Sequence, residues 1–158
     1  NKTISYNPYF IDAYYNLGCF YLEKNEYLKA VDLLRKCVEM DPYFYKARNN
    51  LAICYAKQEY LDLAMEEIKK AIQINPLSRE AYFNYGYILF ERKEFKKAID
   101  VYKKLLENCP NDERVQLELG LSYIEAGKYE DVKTELIQAL KVKPDPLVLN
   151  NLKKLLNL

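Results

Sequence analysis

Apolar residues recur along this chain at helical spacing, in paired blocks separated by short polar turns. The blocks themselves repeat. Pro8, Pro42, Pro76, Pro110 and Pro144 each lie 34 residues after the last, and fixed self-similarity at that period marks a solenoid built from one supersecondary unit. Placing proline at the thirty-second position gives four units: Ile11–Phe44, Tyr45–Ser78, Arg79–Asp112 and Glu113–Pro146. The seventh position reads Leu17, Leu51, Tyr85, Leu119, and the eleventh Tyr21, Tyr55, Leu89, Tyr123. Small residues hold the eighth (Gly18, Ala52, Gly86, Gly120) and most of the twentieth (Ala30, Ala64, Ala98, Val132).

Each unit therefore predicts two amphipathic helices that approach closely at the small residues. Proline ends the second helix, and Asn7, Asp41 and Asn75 before it suit a turn. The pattern predicts helices near 11–24, 27–41, 45–58, 61–74, 79–92, 95–108, 113–126 and 129–142. In the second unit Glu59-Tyr60-Leu61 stands one residue earlier than Glu26-Tyr27-Leu28 does in the first, which reads as a displaced turn.

Both ends carry information. Asn1–Phe10 matches the last ten positions of a unit, with no helix-start signal, and is expected to be the tail of a preceding repeat in a longer protein. Leu147–Leu158 places Leu149, Leu152, Leu155 and Leu156 on one side and reads as a terminal capping helix.

The columns resemble the tetratricopeptide repeat (TPR) family, whose signature at 34 residues is a Trp, Leu-Gly, Tyr, Ala, Phe and Pro series. At the fourth position Tyr14, Arg48, Tyr82 and Gln116 stand where the family has Trp. The resemblance implies an all-α, right-handed superhelical solenoid of antiparallel helix pairs.

Composition narrows the function classes. The 24 Lys plus Arg balance 23 Asp plus Glu, so the basic footprint of a nucleic-acid binder is absent. There is no histidine, which removes the commonest general acid–base at neutral pH. Ser5, Ser78 and Ser122 sit in no nucleophile motif, and the four glycines never form a phosphate loop. No enzyme activity, cofactor or metal is expected. Cys19, Cys37, Cys54 and Cys109 show no close paired spacing and read as buried or partly buried free thiols, suiting a reducing, cytoplasmic setting. No apolar run suggests a membrane span.

The resemblance also implies where a partner would sit. In the family the first helices line a concave groove, with positions 2, 5, 6, 9, 12 and 13 looking into it. The sixth position reads Asn16, Asn50, Asn84, then Glu118, a ladder similar to that of the O-linked N-acetylglucosamine transferases. Each amide offers two donors and an acceptor for the backbone of an extended peptide. Tyr15, Lys46, Phe83 and Tyr87 are the candidates for selectivity. Phe83 and Tyr87 are four apart on one helix and can share an aromatic surface; packing between helices is the competing reading for Tyr87 and Phe90.

Chaperone-binding members of the family hold a terminal carboxylate with Lys and Asn at 5 and 9, Asn at 6 of the next repeat, and Lys and Arg at 2 and 6 of the third. Here those places hold Tyr15, Cys19, Asn50, Glu80 and Asn84, or Asn49, Ile53, Asn84, Arg114 and Glu118 one repeat later. No carboxylate-clamp binding is expected. The expected role is a protein-interaction scaffold that takes a partner segment in its groove. The alternatives are a self-associating structural module, with homo-oligomers, or the substrate-docking arm of an enzyme encoded elsewhere.

Overall fold

The computed structural model describes residues 8–127, and within them every element is an α-helix. The order is α1 (Pro8–Glu23), α2 (Tyr27–Met40), α3 (Tyr45–Lys57), α4 (Leu61–Ile74), α5 (Arg79–Glu91), α6 (Phe95–Asn108) and α7 (Glu113–Glu125). The expected helix at 129–142, the terminal helix at 147–158 and residues 1–7 of the expected repeat tail lie outside the described residues. The chain forms two compact units, one ending at Arg92 and the other beginning at Lys93.

In the first unit α1 packs on α2, α2 on α3, α3 on α4 and α4 on α5, while α1 also touches α3 and α3 touches α5. The first helices of successive pairs thus form a continuous layer, with α3 at its centre. Among the described residues two apolar clusters hold this unit. One joins Ala30, Leu34 and Cys37 to Ala47, Leu51 and Cys54; the other joins Ala52, Ala56, Ala64 and Ile68 to Ala81 and Ile88. Leu34 and Ile68 are fully buried, each contributing about 1.5–3 kcal/mol through loss of apolar surface from water.

The small-residue columns do what close packing requires. Ala30, Ala64 and Ala98 are fully buried. A Cβ at Gly18 would lie 2.9 Å from Cγ of Leu34 and 3.0 Å from its Cδ2, so a side chain there would force either the buried Leu34 or the spacing of α1 and α2 to shift. In the second unit α6 packs on α7, burying Ala98, Ile99, Tyr102 and Leu105 together with Val115, Leu119 and Tyr123. The Lys103 ammonium sits 5.5 Å from the centroid of the Tyr123 ring, a cation–π arrangement.

The turns follow local chemistry. α2, α4 and α6 stop two residues before Pro42, Pro76 and Pro110. Asp41 Oδ1 accepts from the Tyr43 N–H at 2.9 Å and Asn75 Oδ1 from that of Leu77 at 3.2 Å, the Asx turns that favour these residues before proline. Ser78 caps α5 and Asp112 caps α7, each accepting from the N–H three residues on.

Two expectations are corrected. α1 starts at Pro8, three residues early, because a proline at the first helical position loses no hydrogen bond and brings a helical φ. The turn of the second unit is not displaced. Asn25, Glu59, Lys93 and Gly127 all have φ between 59° and 71°, one left-handed residue every 34 positions, and α2, α4 and α6 begin two residues after them. Only the side chains Glu-Tyr-Leu are shifted; the backbone keeps register.

Candidate functional site

A polar network crosses the layer of first helices in the first unit. Asn84 on α5 donates through Nδ2 to Oδ1 of Asn49 on α3 at 3.0 Å. Asn49 donates to Oδ1 of Asn50 at 3.3 Å, and Asn50 donates to the Tyr15 hydroxyl at 3.3 Å and to Cys19 Sγ at 3.2 Å, both on α1. Side chains from α1, α3 and α5 are therefore tied in one chain of hydrogen bonds, with Asn49 only 3% exposed at its centre.

The chemistry of this chain explains its residue types. A buried amide left unpaired costs about 1–3 kcal/mol, and Asn49 avoids that cost by donating on one side and accepting on the other. Burial pushes the Tyr15 phenol above its ordinary range, and the neighbouring Cys19 and the more distant Glu80 add to the effect. Tyr15 thus keeps its proton. Its ring lies 4.9 Å from that of Phe44, tilted by 45°, which fixes the hydroxyl where Asn50 can reach it.

The remaining candidates are placed as follows. Asn16 is exposed on α1 and makes no side-chain hydrogen bond among the described residues. The expected ladder of three equivalent asparagines is therefore uneven: Asn50 and Asn84 are linked through Asn49, while Asn16 stands apart. Lys46 is exposed. Phe83 and Tyr87 are both half-buried on α5. Tyr87 packs partly on the second apolar cluster, and the Lys57 ammonium lies 4.6 Å from its ring centroid and 2.9 Å from its hydroxyl. Packing and presentation thus coexist at Tyr87.

Two features escaped the sequence. Asn49, no candidate from sequence, is the buried bridge of the network; its signal is the adjacent pair Asn49-Asn50, one of which must turn inward on a helix at 100° per residue. The second is a set of side chains that replace the family's aromatic at the fourth position. Arg48 donates through Nε to the Pro42 carbonyl at 2.8 Å, and Gln116 donates to the Pro110 carbonyl at 2.6 Å. Arg48 also pairs with Glu67 on α4 at 2.6 Å, both side chains being largely buried at 11% and 14% exposed, and Lys70 adds a 3.2 Å contact to Glu67.

The four cysteines are free. Cys37 and Cys54 are buried and Cys19 is half-buried, but Cys109 is exposed, which corrects the expectation that all would be covered. Among the described residues no group of His, Cys, Asp or Glu could hold a metal ion, and no helix is long and apolar enough to cross a membrane.

Stacked helix pairs at a 34-residue period, with polar side chains aligned across the first helices α1, α3 and α5, define a helical repeat protein. Its family follows from the columns themselves. The tetratricopeptide repeat description matches residues 11–44, 45–76 and 113–146, and the TPR repeat description matches residues 86–127. The chain belongs to the tetratricopeptide repeat family.

No curated protein sequence matches the chain. Among solved structures it is similar to pilF of Pseudomonas aeruginosa, with 28% identity over 89% of this chain and 65% of that one, at a TM-score of 0.76. It is also similar to MamA, with 24% identity over 83% and 72% of the two chains and a TM-score of 0.74. A third is the first TPR of Spaghetti (RPAP3) bound to HSP90 peptide SRMEEVD, with 22% identity over 78% and 98% and a TM-score of 0.71. These likenesses establish the fold. TPR arrays of this kind are typically non-catalytic scaffolds for protein interaction.

Proposed function

We propose that the layer formed by α1, α3 and α5 binds an extended segment of a partner protein, with Asn16, Asn50 and Asn84 addressing its backbone. Tyr15, Lys46, Phe83 and Tyr87 set selectivity around them. The observation that carries this reading is the hydrogen-bond chain from Asn84 through Asn49 and Asn50 to Tyr15. It holds polar groups of three first helices, α1, α3 and α5, in fixed orientation, and preorganisation lowers the cost of binding. The peptide bound to the first TPR of Spaghetti supports the use of this fold for such a task.

The chemistry of the surface points away from an anionic chain terminus. Glu80 adds negative charge beside Tyr15, and Tyr15 and Cys19 stand where a clamp would need Lys and Asn. A partner segment is therefore read as uncharged or mixed in charge, with apolar side chains directed at Phe83 and Tyr87.

The test is affinity capture from the source cell with the wild-type chain, with Asn16→Ala, and with the triple Asn16/Asn50/Asn84→Ala variant. Melting curves establish that each is folded. Partners lost progressively across the series support the reading. Equal retention on all three baits sinks it.

A further inference from the structure

The hydrogen-bonding groups of the α1, α3 and α5 layer are not left open equally. Both hydrogens of Asn50 Nδ2 are engaged inside it, by the Tyr15 hydroxyl at 3.3 Å and Cys19 Sγ at 3.2 Å, while Oδ1 accepts from Asn49 at 3.3 Å. A carbonyl oxygen has two lone pairs, so the half-buried Asn50 keeps one acceptor position and no donor. On α5 the half-buried Asn84 gives one hydrogen to Asn49 Oδ1 at 3.0 Å. Its own Oδ1 and its second hydrogen make no bond among the described residues. What both amides can offer a segment is therefore a carbonyl oxygen.

Asn49 is the reason. At 3% exposed it is too buried to meet a bound segment, yet it accepts from Asn84 and donates to Asn50. The three amides run head to tail. Turning any one of them alone sets nitrogen against nitrogen or oxygen against oxygen, and an unmet polar group is strongly unfavourable where water is excluded. The far end of the chain is held by Tyr15, whose phenol also hydrogen-bonds Cys19 and keeps its proton. Asn16 has no such bond among the described residues and can present either end of its amide.

Resting on the reading that this layer binds a partner segment, we infer that Asn49 is a positioning residue that fixes Asn50 and Asn84 as acceptors. The occupant is then an extended peptide that presents a backbone N–H to each of them. Asn84 can also return its second hydrogen to a peptide carbonyl, whereas Asn50 cannot. Proline, which has no N–H, is excluded from the segment at both points.

The probe is a peptide selected on the wild-type chain from a random-sequence display library, resynthesised with one backbone amide at a time replaced by an ester. The ester puts an oxygen in place of the N–H at nearly unchanged length. On the wild type, affinity should fall about tenfold at two positions. Asn50→Ala and Asn84→Ala assign them, each abolishing the loss at its own position. Asn49→Leu frees the amides to turn, and Leu117 holds the same column in the fourth unit. On that variant, shown to be folded by its melting curve, the ester facing Asn50 should weaken binding less than about threefold, because the amide turns its nitrogen to the ester oxygen. Asn49→Ala gives the same readout should leucine not fit. A purely structural Asn49 would weaken every peptide alike and leave the ester losses in place. Peptides indifferent to both Asn50→Ala and Asn84→Ala sink the binding reading of the layer, and this inference with it. Peptides that need both asparagines but tolerate every ester, or that lose as much from the ester on Asn49→Leu as on the wild type, overturn this inference alone.

Discussion

α1 and α3 carry the same columns of residue types, but among the described residues α3 is enclosed by α1, α2, α4 and α5 whereas α1 packs toward α2 and α3. Leu51 is 3% exposed and Leu17 is 44%. Arg48 is buried against Glu67, and its counterpart Tyr14 is half-buried with the Lys36 ammonium 5.3 Å from its ring centroid. Asn50 is held by three hydrogen bonds, and Asn16 by none among the described residues. Position within a repeat decides where a side chain points. The neighbours decide what that direction is worth.

Paired substitutions break this comparison or sharpen it. Arg48→Ala should destabilise by about 3 kcal/mol, because it strands Glu67 in a largely buried site with only Lys70 beside it. Tyr14→Ala should cost clearly less. Leu51→Ala should cost about 2–4 kcal/mol through cavity formation, against less than about 0.5 kcal/mol for Leu17→Ala, both read from urea unfolding midpoints. Near-equal losses would mean that α1 is covered as fully as α3.

Asn50→Ala should cost about 1–2 kcal/mol, since it removes the acceptor of the buried Asn49 amide, while Asn16→Ala should leave the melting curve in place. Asn16→Ala is therefore the cleaner probe of partner binding. At the ends of the same two helices, Glu59→Gly should stabilise by about 0.5–1 kcal/mol by relieving a left-handed backbone at φ 65°. Asn25→Gly should gain less, because asparagine tolerates that conformation.

The thiols give the smallest signal at neutral pH. Burial raises Cys37 from 9.0 to about 11 and Cys54 to about 12. Both remain protonated in the folded state after the unfolded chain begins to ionise. Their contribution to stability is intact below pH 9.0 and is lost as pH rises from there toward 11 and 12. Alkylation at pH 8 should label Cys109 readily and leave Cys37 and Cys54 unreacted until the chain unfolds.

Most of the architecture was legible because a 34-residue column records the same packing problem solved several times. The starts of α2 to α7 fall at the expected residues, and their ends fall within one residue of them. The left-handed position was hidden because Glu59 and Lys93 do not advertise it, although Asn25 and Gly127 in the same column do. The site was less legible. Sequence places Asn49 and Asn50 on one helix, but which amide turns inward depends on Asn84 and Tyr15 from other helices, 35 residues away on either side. Pairing among polar groups is a property of the assembled layer.

The side chains that reach the proline carbonyls have a consequence for the order of folding. Arg48 to Pro42 and Gln116 to Pro110 each close a loop of six residues, where closure entropy is small and contacts form early. Among the described residues the aromatic Tyr14 and Tyr82 at the same column form no such link. Nucleation is then biased to the turns entering α3 and α7, with the intervening helices adding by propagation, and conservative substitutions at Arg48 and Gln116 should slow refolding more than those at Tyr14 and Tyr82.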